Sequence, residues 1–124
     1  MNYDELVKET LLENSFKMGR DGYYELETPI VLEQSENFLG VCVRCEGDKV
    51  IITDRGQLLQ SYDCFDIDYD DIKSKIVFKS KNLFFDDESI CLQVSFKSVL
   101  KGVSDFIKVI ICTEQKISKL LGCD

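Results

Sequence analysis

Two β-branched and apolar runs, Phe38–Glu46 and Lys49–Asp54, are separated only by Gly47 and Asp48. A two-residue connection that includes Gly is suited to a primed hairpin turn, whose twist matches that of the strands it joins. The turn writes the register. If Glu46 faces Lys49, then Cys45 faces Val50, Val43 faces Ile52 and Val41 faces Asp54. Period-two alternation then places Leu39, Val41, Val43, Cys45, Val50 and Ile52 on one face. Glu46 opposite Lys49 adds a favourable charge pair, a support for the register that does not depend on hydrophobicity. This face is the expected core.

The rest of the chain supplies what must cover that face. Tyr3, Leu6, Val7, Leu11 and Leu12 recur at helical spacing among acids, predicting a helix from about residue 3 to 14. Tyr24, Leu26, Thr28 and Ile30 alternate with Tyr23, Glu25 and Glu27 as a strand with one wet face, and Pro29 puts its far end at a sheet edge or bend. Gln57–Tyr62 suits one or two helical turns with Asp54 as cap or turn residue. A further helix is expected near Asp68, with Ile72, Ile76 and Lys79 on one face. Leu83–Phe85 and Ile90–Val94, joined by residues 86–89, predict a second hairpin. From Ser95 a broad apolar stripe (Phe96, Val99, Val103, Phe106, Ile110, Ile117 and neighbours) predicts the longest helix. Gly102 within it suggests close packing or a small kink, and Gly122 a stop. The expectation is a single α+β domain over residues 1–124: an N-terminal helix, an antiparallel sheet with two hairpins, short middle helices and a long C-terminal helix packed on the sheet.

Composition narrows the function classes. With 124 residues, 44% of them hydrophobic, the chain can bury one core without metal or disulfide support. No run approaches the roughly 18 to 20 apolar residues of a membrane span. The acidic N-terminus lacks the order of a secretory signal, so a cytoplasmic location is expected and the six cysteines are read as reduced thiols. Net charge is −8, divided as −11 over residues 1–72 and +3 over residues 73–124. Phosphate backbones are bound mainly through Lys and Arg, so direct nucleic-acid binding is not expected, whereas a basic protein partner suits the acidic half.

The order of elements, with Glu27-Thr-Pro-Ile and Val50-Ile-Ile-Thr-Asp-Arg-Gly-Gln-Leu-Leu, resembles the domain of unknown function 1828 family of bacteria and their mobile elements. Thr28-Pro29, Thr53, Asp54 and Gly56 match its pattern, while Arg55 replaces the usual second Asp of the turn, which weakens any metal or acid–base role for paired aspartates there. The resemblance implies a compact α+β fold, with Thr53, Asp54 and Gly56 as a structural turn motif, and no established activity.

Individual constellations point away from catalysis. Cys42 and Cys45, three apart within a strand, face opposite sides, and the chain has no His and no second CxxC. Without His, Ser-His and Cys-His mechanisms are closed. Glu114-Gln-Lys116 resembles half of a metal-dependent nuclease site but reads more simply as a solvated helix face. Asp66-Ile-Asp-Tyr-Asp-Asp begins like a calcium loop and fails at the Gly and Glu positions. Tyr23, Tyr24, Phe84 and Phe85 read as half-buried strand residues rather than a base-stacking set, for want of Arg or Lys beside the tyrosines. Lys73, Lys75, Lys79 and Lys81 read as a solvated helix face. The functional expectation is a non-enzymatic acidic protein-binding module without cofactor, in which Asp63, Asp66, Asp68, Asp70 and Asp71 meet a basic partner. Its specific form is a phage or mobile-element inhibitor of a host defence nuclease. A small metal-dependent nuclease using Asp54 or Glu114 and a self-associating structural protein are the alternatives.

Overall fold

The computed structural model describes residues 3–122, with side chains from residue 5 onward. The side chain of Tyr3 and all of Cys123 therefore lie outside the described residues. The chain runs α1 (Tyr3–Glu13), β1 (Lys17–Met18), β2 (Tyr24–Val31), β3 (Phe38–Glu46), β4 (Lys49–Thr53), α2 (Gln57–Gln60), α3 (Tyr69–Lys75), β5 (Leu83–Asp86), β6 (Ser89–Ser95) and α4 (Val99–Leu121). Single 3-10 turns, Asp63–Phe65 and Phe96–Ser98, precede α3 and α4. The strands form one antiparallel sheet in the order β1-β2-β3-β4-β6-β5. This is the expected α+β architecture.

The first hairpin has the register its turn dictates: Glu46 pairs with Lys49, Cys45 with Val50 and Val43 with Ile52. Gly47 supplies the positive φ, 65°, that a primed turn requires. Leu39, Val41, Val43, Val50 and Ile52 are all at most 1% exposed, and Cys45 packs against them half-buried. β4 pairs next with β6, so Ile52 stands beside Leu92 and Val50 beside Val94, extending the apolar face across the second hairpin. The turn of that hairpin is only Asp87-Glu88, two residues shorter than the expected polar turn, because Asp86 and Ser89 already pair. Pro29 lies where β2 runs beyond its two-residue neighbour β1, at a register shift against β3, so its missing N–H costs no ladder bond to a further strand.

α4 lies across β4 and β6. A Cβ built on Gly102 would sit 2.9 Å from Ile52 Cδ1 and 2.9 Å from Val94 Cγ1, so the absence of a side chain there sets how closely helix and sheet approach. The stripe is narrower than the sequence suggests: Val99, Val103, Phe106, Ile110 and Ile117 are buried, but Leu100 and Leu120 are exposed. Among its described side chains α1 likewise buries only Val7 and Leu11, one i, i+4 pair, and leaves Leu6 and Leu12 exposed. α3 stops at Lys75 because Ile76 turns extended (φ −99°, ψ 117°) and is buried. Lys79 is therefore not on the helix, and the four lysines do not form one helix face.

Gly102→Ala gains about 1 kcal/mol in helix propensity but forces the helix off the sheet. A net loss of about 1 kcal/mol is expected in denaturant-unfolding free energy; a gain would show that the helix–sheet spacing is not set at this residue.

Candidate functional site

The turn after β4 is built around one buried carboxylate. Asp54 is 3% exposed. Its Oδ1 accepts from Gly56 N–H at 2.9 Å and from Ile90 N–H at 3.0 Å, and its Oδ2 accepts from Leu58 N–H at 3.0 Å. Thr53 Oγ1 accepts from Arg55 N–H at 3.0 Å, and Arg55 and Gly56 both have positive φ, 54° and 85°. The Thr53-Asp54-Gly56 motif thus ties the first hairpin to α2 and to the start of β6. Gln57 extends the tie, accepting from Gly40 N–H and donating to the Phe38 carbonyl, both at 2.8 Å. Burial pushes the Asp54 carboxyl above the ordinary carboxylate range, and the three N–H donors oppose that shift.

Glu114 is a second buried carboxylate. Its position on α4 is 8% exposed, not the solvated face expected, and its Oε2 accepts from Glu33 N–H at 3.0 Å. The expectation fails because the chain after β2 brings an N–H to this helix from 81 residues away. The Glu114 carbonyl also accepts from Tyr62 Oη at 3.2 Å, and Tyr62 Oη shares a further bond with Ser118 Oγ at 2.9 Å. Asp54 and Glu114 hydrogen-bond to different segments and share no partner. Among the described residues no three His, Cys, Asp or Glu side chains group so as to hold a metal ion.

The five aspartates of the acidic segment are all exposed, and the structure divides them. Asp68 caps α3, accepting from the N–H groups of Asp70 at 3.0 Å and Asp71 at 3.4 Å. Asp70 pairs with Lys73 at 3.4 Å and Asp71 with Lys75 at 3.1 Å. Among the described residues Asp63 and Asp66 have no ion pair, and Asp66 adopts a left-handed φ of 52° at the end of its 3-10 turn.

The face of the sheet opposite α4 carries an arrangement that the sequence reading missed. Tyr23 projects between two guanidinium groups, Arg55 at 4.4 Å and Arg44 at 5.3 Å from the ring centroid. These arginines come from β3 and from the turn after β4, and only the strand register brings them to the tyrosine. Arg44 pairs with Glu46, and Arg55 with Asp21 at 3.3 Å. Among the described residues Arg44 Nε, which is buried, has no hydrogen-bond partner. With Phe84, Asp86 and Gln93 opposite, these residues wall a concavity of about 450 Å³ floored by Ile51, Thr53 and Cys91. The signal was the alternation itself: Cys42, Thr53 and Cys91 are cross-strand neighbours. Cys42 and Cys45 do face opposite sides. Burial, then the nearby Glu25 charge, pushes the Cys42 thiol up to about 11, and burial likewise raises Cys91. Both stay protonated at neutral pH, which makes them poor nucleophiles.

No family model, curated protein or solved structure matches this chain.

Two measurements probe the buried carboxylates. Asp54→Ala leaves three N–H groups without their acceptor and should lower unfolding free energy by about 3 kcal/mol or more; an unchanged denaturation midpoint would remove Asp54 from its structural role. For Glu114, burial raises the folded-state value above the unfolded one. Its contribution to stability is therefore complete below the ordinary value of about 4.3 and is lost as pH rises through the raised value. Glu114→Gln keeps an acceptor for Glu33 N–H, so the variant should gain stability relative to the native chain as pH rises above the ordinary value of about 4.3. A constant difference across that range would contradict the assignment.

Proposed function

We propose that the protein is a non-enzymatic protein-binding module that meets a basic partner surface through Asp63, Asp66, Asp68, Asp70 and Asp71. The observation that carries this reading is the way the segment is mounted. All five carboxylates are exposed, while the chain beneath them is anchored by Tyr62 at 0% and Ile72 at 4% exposure. A segment of exposed carboxylates anchored in the core steers and orients a basic partner. The buried carboxylates accord with it, since Asp54 and Glu114, the residues a metal-dependent nuclease would use, are engaged with backbone N–H groups. Taken with the resemblance to the domain of unknown function 1828 family, the specific form proposed is a phage or mobile-element inhibitor of a basic defence nuclease acting inside the cell.

The test replaces Asp63, Asp66, Asp70 and Asp71 with Asn and leaves the α3 cap at Asp68 intact. Tagged native and variant chains are used to recover partners from a lysate of the host under reducing conditions, and association rates with any stoichiometric partner are followed against salt. The variant should associate about tenfold more slowly at low salt, with a flatter salt dependence. Equal rates and slopes would overturn the acidic surface as the binding site.

A further inference from the structure

The two edges of the sheet are treated differently. At one edge β1 is two residues long, and the stretch of β2 beyond it carries Pro29 and a register shift. Short strands, proline and bulges are devices that block pairing with another chain. The other edge, β5, is four residues long but has neither proline nor a register shift within Leu83–Asp86, and its Phe84 is 38% exposed.

The hydrogen-bonding directions of β5 follow from its hairpin. Asp86 and Ser89 close a two-residue turn as a bonded pair, so Phe84 also directs its backbone groups toward β6, and the Asn82 carbonyl accepts from Gln93 N–H at 2.9 Å. Leu83 and Phe85 consequently direct theirs away from the sheet. Leu83 N–H turns back to the Ser80 carbonyl at 3.2 Å, which leaves the Leu83 carbonyl and the N–H and C=O of Phe85 available.

The helix layer also extends past the last strand. Val77, Phe78, Leu83, Val109 and Cys112 line an apolar groove of about 410 Å³ along this edge, on the side that Leu83 and Phe85 face. Charge is disposed in opposite senses at the two ends of β5: Lys79 and Lys81 precede it, and Asp86, Asp87 and Glu88 end it. Among the described residues none of these five side chains has an ion pair.

We propose that the β5 edge pairs antiparallel with the β5 edge of a second copy of this chain, about a two-fold axis through Phe84. Face and hydrogen-bonding parity admit a two-fold axis at Leu83, Phe84 or Phe85; the occupied Leu83 N–H disfavours the first, and the lysines ahead of β5 meet the acids after it with the axis at Phe84 rather than Phe85. Opposed residues must share a face, and outward-directed residues must oppose one another. Phe84 then stands opposite its own counterpart, and Leu83 opposes Phe85 of the second copy. Phe85 N–H of each copy donates to the Leu83 carbonyl of the other, while the second copy's Leu83 and Phe85 side chains lie over the apolar groove. Lys79 and Lys81, which lead into β5, then lie at the end where the second copy's β5 runs into Asp86, Asp87 and Glu88, so each positive end meets a negative one. This is an isologous interface and closes at two copies. It is independent of the acidic surface proposed above, and its test uses the purified protein alone.

Sedimentation equilibrium should give a mass twice the 14.3 kDa of the chain at micromolar concentrations. Phe84→Glu, at an exposed position, puts two acids face to face and should weaken self-association at least about tenfold. Phe84→Lys should do the same, and an equimolar mixture of the two variants should restore a dimer, a result that misfolding could not produce. In a chain with Cys91, the partner of residue 84 within the same hairpin, replaced by Ala and Cys64, Cys112 and Cys123 replaced by Ser, Phe84→Cys should cross-link two chains on mild oxidation, because a non-hydrogen-bonded pair brings its Cα atoms to about 4.5 Å. Asp86→Cys in the same background should not cross-link, since its counterpart is Asn82. A single monomer mass up to millimolar concentration, or a dimer that ignores charge at residue 84, would overturn the proposal.

Discussion

Three peptide N–H groups converge on the carboxylate of Asp54, two from the chain that follows it and one from the second hairpin. Gly56 and Leu58 begin the short helix that follows the first hairpin, and Ile90 begins the inner strand of the second. A buried acceptor shared by three donors fixes their mutual positions more tightly than apolar contact does, because an unmet N–H in the interior costs free energy whenever the arrangement loosens. The pairing of β4 with β6, and so the continuity of the sheet between the two hairpins, starts at this carboxylate. The left-handed residues Arg55 and Gly56 are the local cost of directing the chain around it.

Once the hairpins are joined, the two faces of the sheet diverge. Gly102 lets α4 settle against Ile52 and Val94, and that side becomes a close-packed interior. The other side has no helix across it among the described residues, yet Cys42, Ile51, Thr53 and Cys91 are all at most 7% exposed. They are covered from the rim by long and aromatic side chains, including Tyr23, Arg44, Arg55 and Phe84. Arginine suits this use because its methylene stem covers apolar surface while the guanidinium stays wet and lies over a ring.

How much of this was legible in the sequence depends on how locally each feature is determined. The first hairpin could be read residue by residue, since Gly47-Asp48 fixes the register and alternation fixes the face. Asp54 was recognisable as a turn residue from its neighbours Thr53 and Gly56, but its third partner, Ile90 N–H, lies 36 residues away and left no local trace. Glu114 was misread for the same reason: nothing around it shows that Glu33 N–H needs an acceptor. No cluster of cations stands beside Tyr23 in the sequence, because its two arginines are sequence-distant and register-near. The end of α3 was overestimated because helical spacing continued through Ile76 and Lys79, while burial of Ile76 in an extended conformation decided the matter.

The position of Tyr23 between two guanidinium groups also has an optical consequence. The chain contains five tyrosines and no tryptophan, so its intrinsic emission comes from phenol rings alone, free of the energy transfer to indole that obscures tyrosine in most proteins. The ring that stands at the mouth of the open-face concavity contributes to that emission under the direct influence of Arg44 and Arg55. Anything that draws either arginine away changes the surroundings of a native chromophore, and a tryptophan brought by a binding partner can be excited selectively against a background in which this protein is dark.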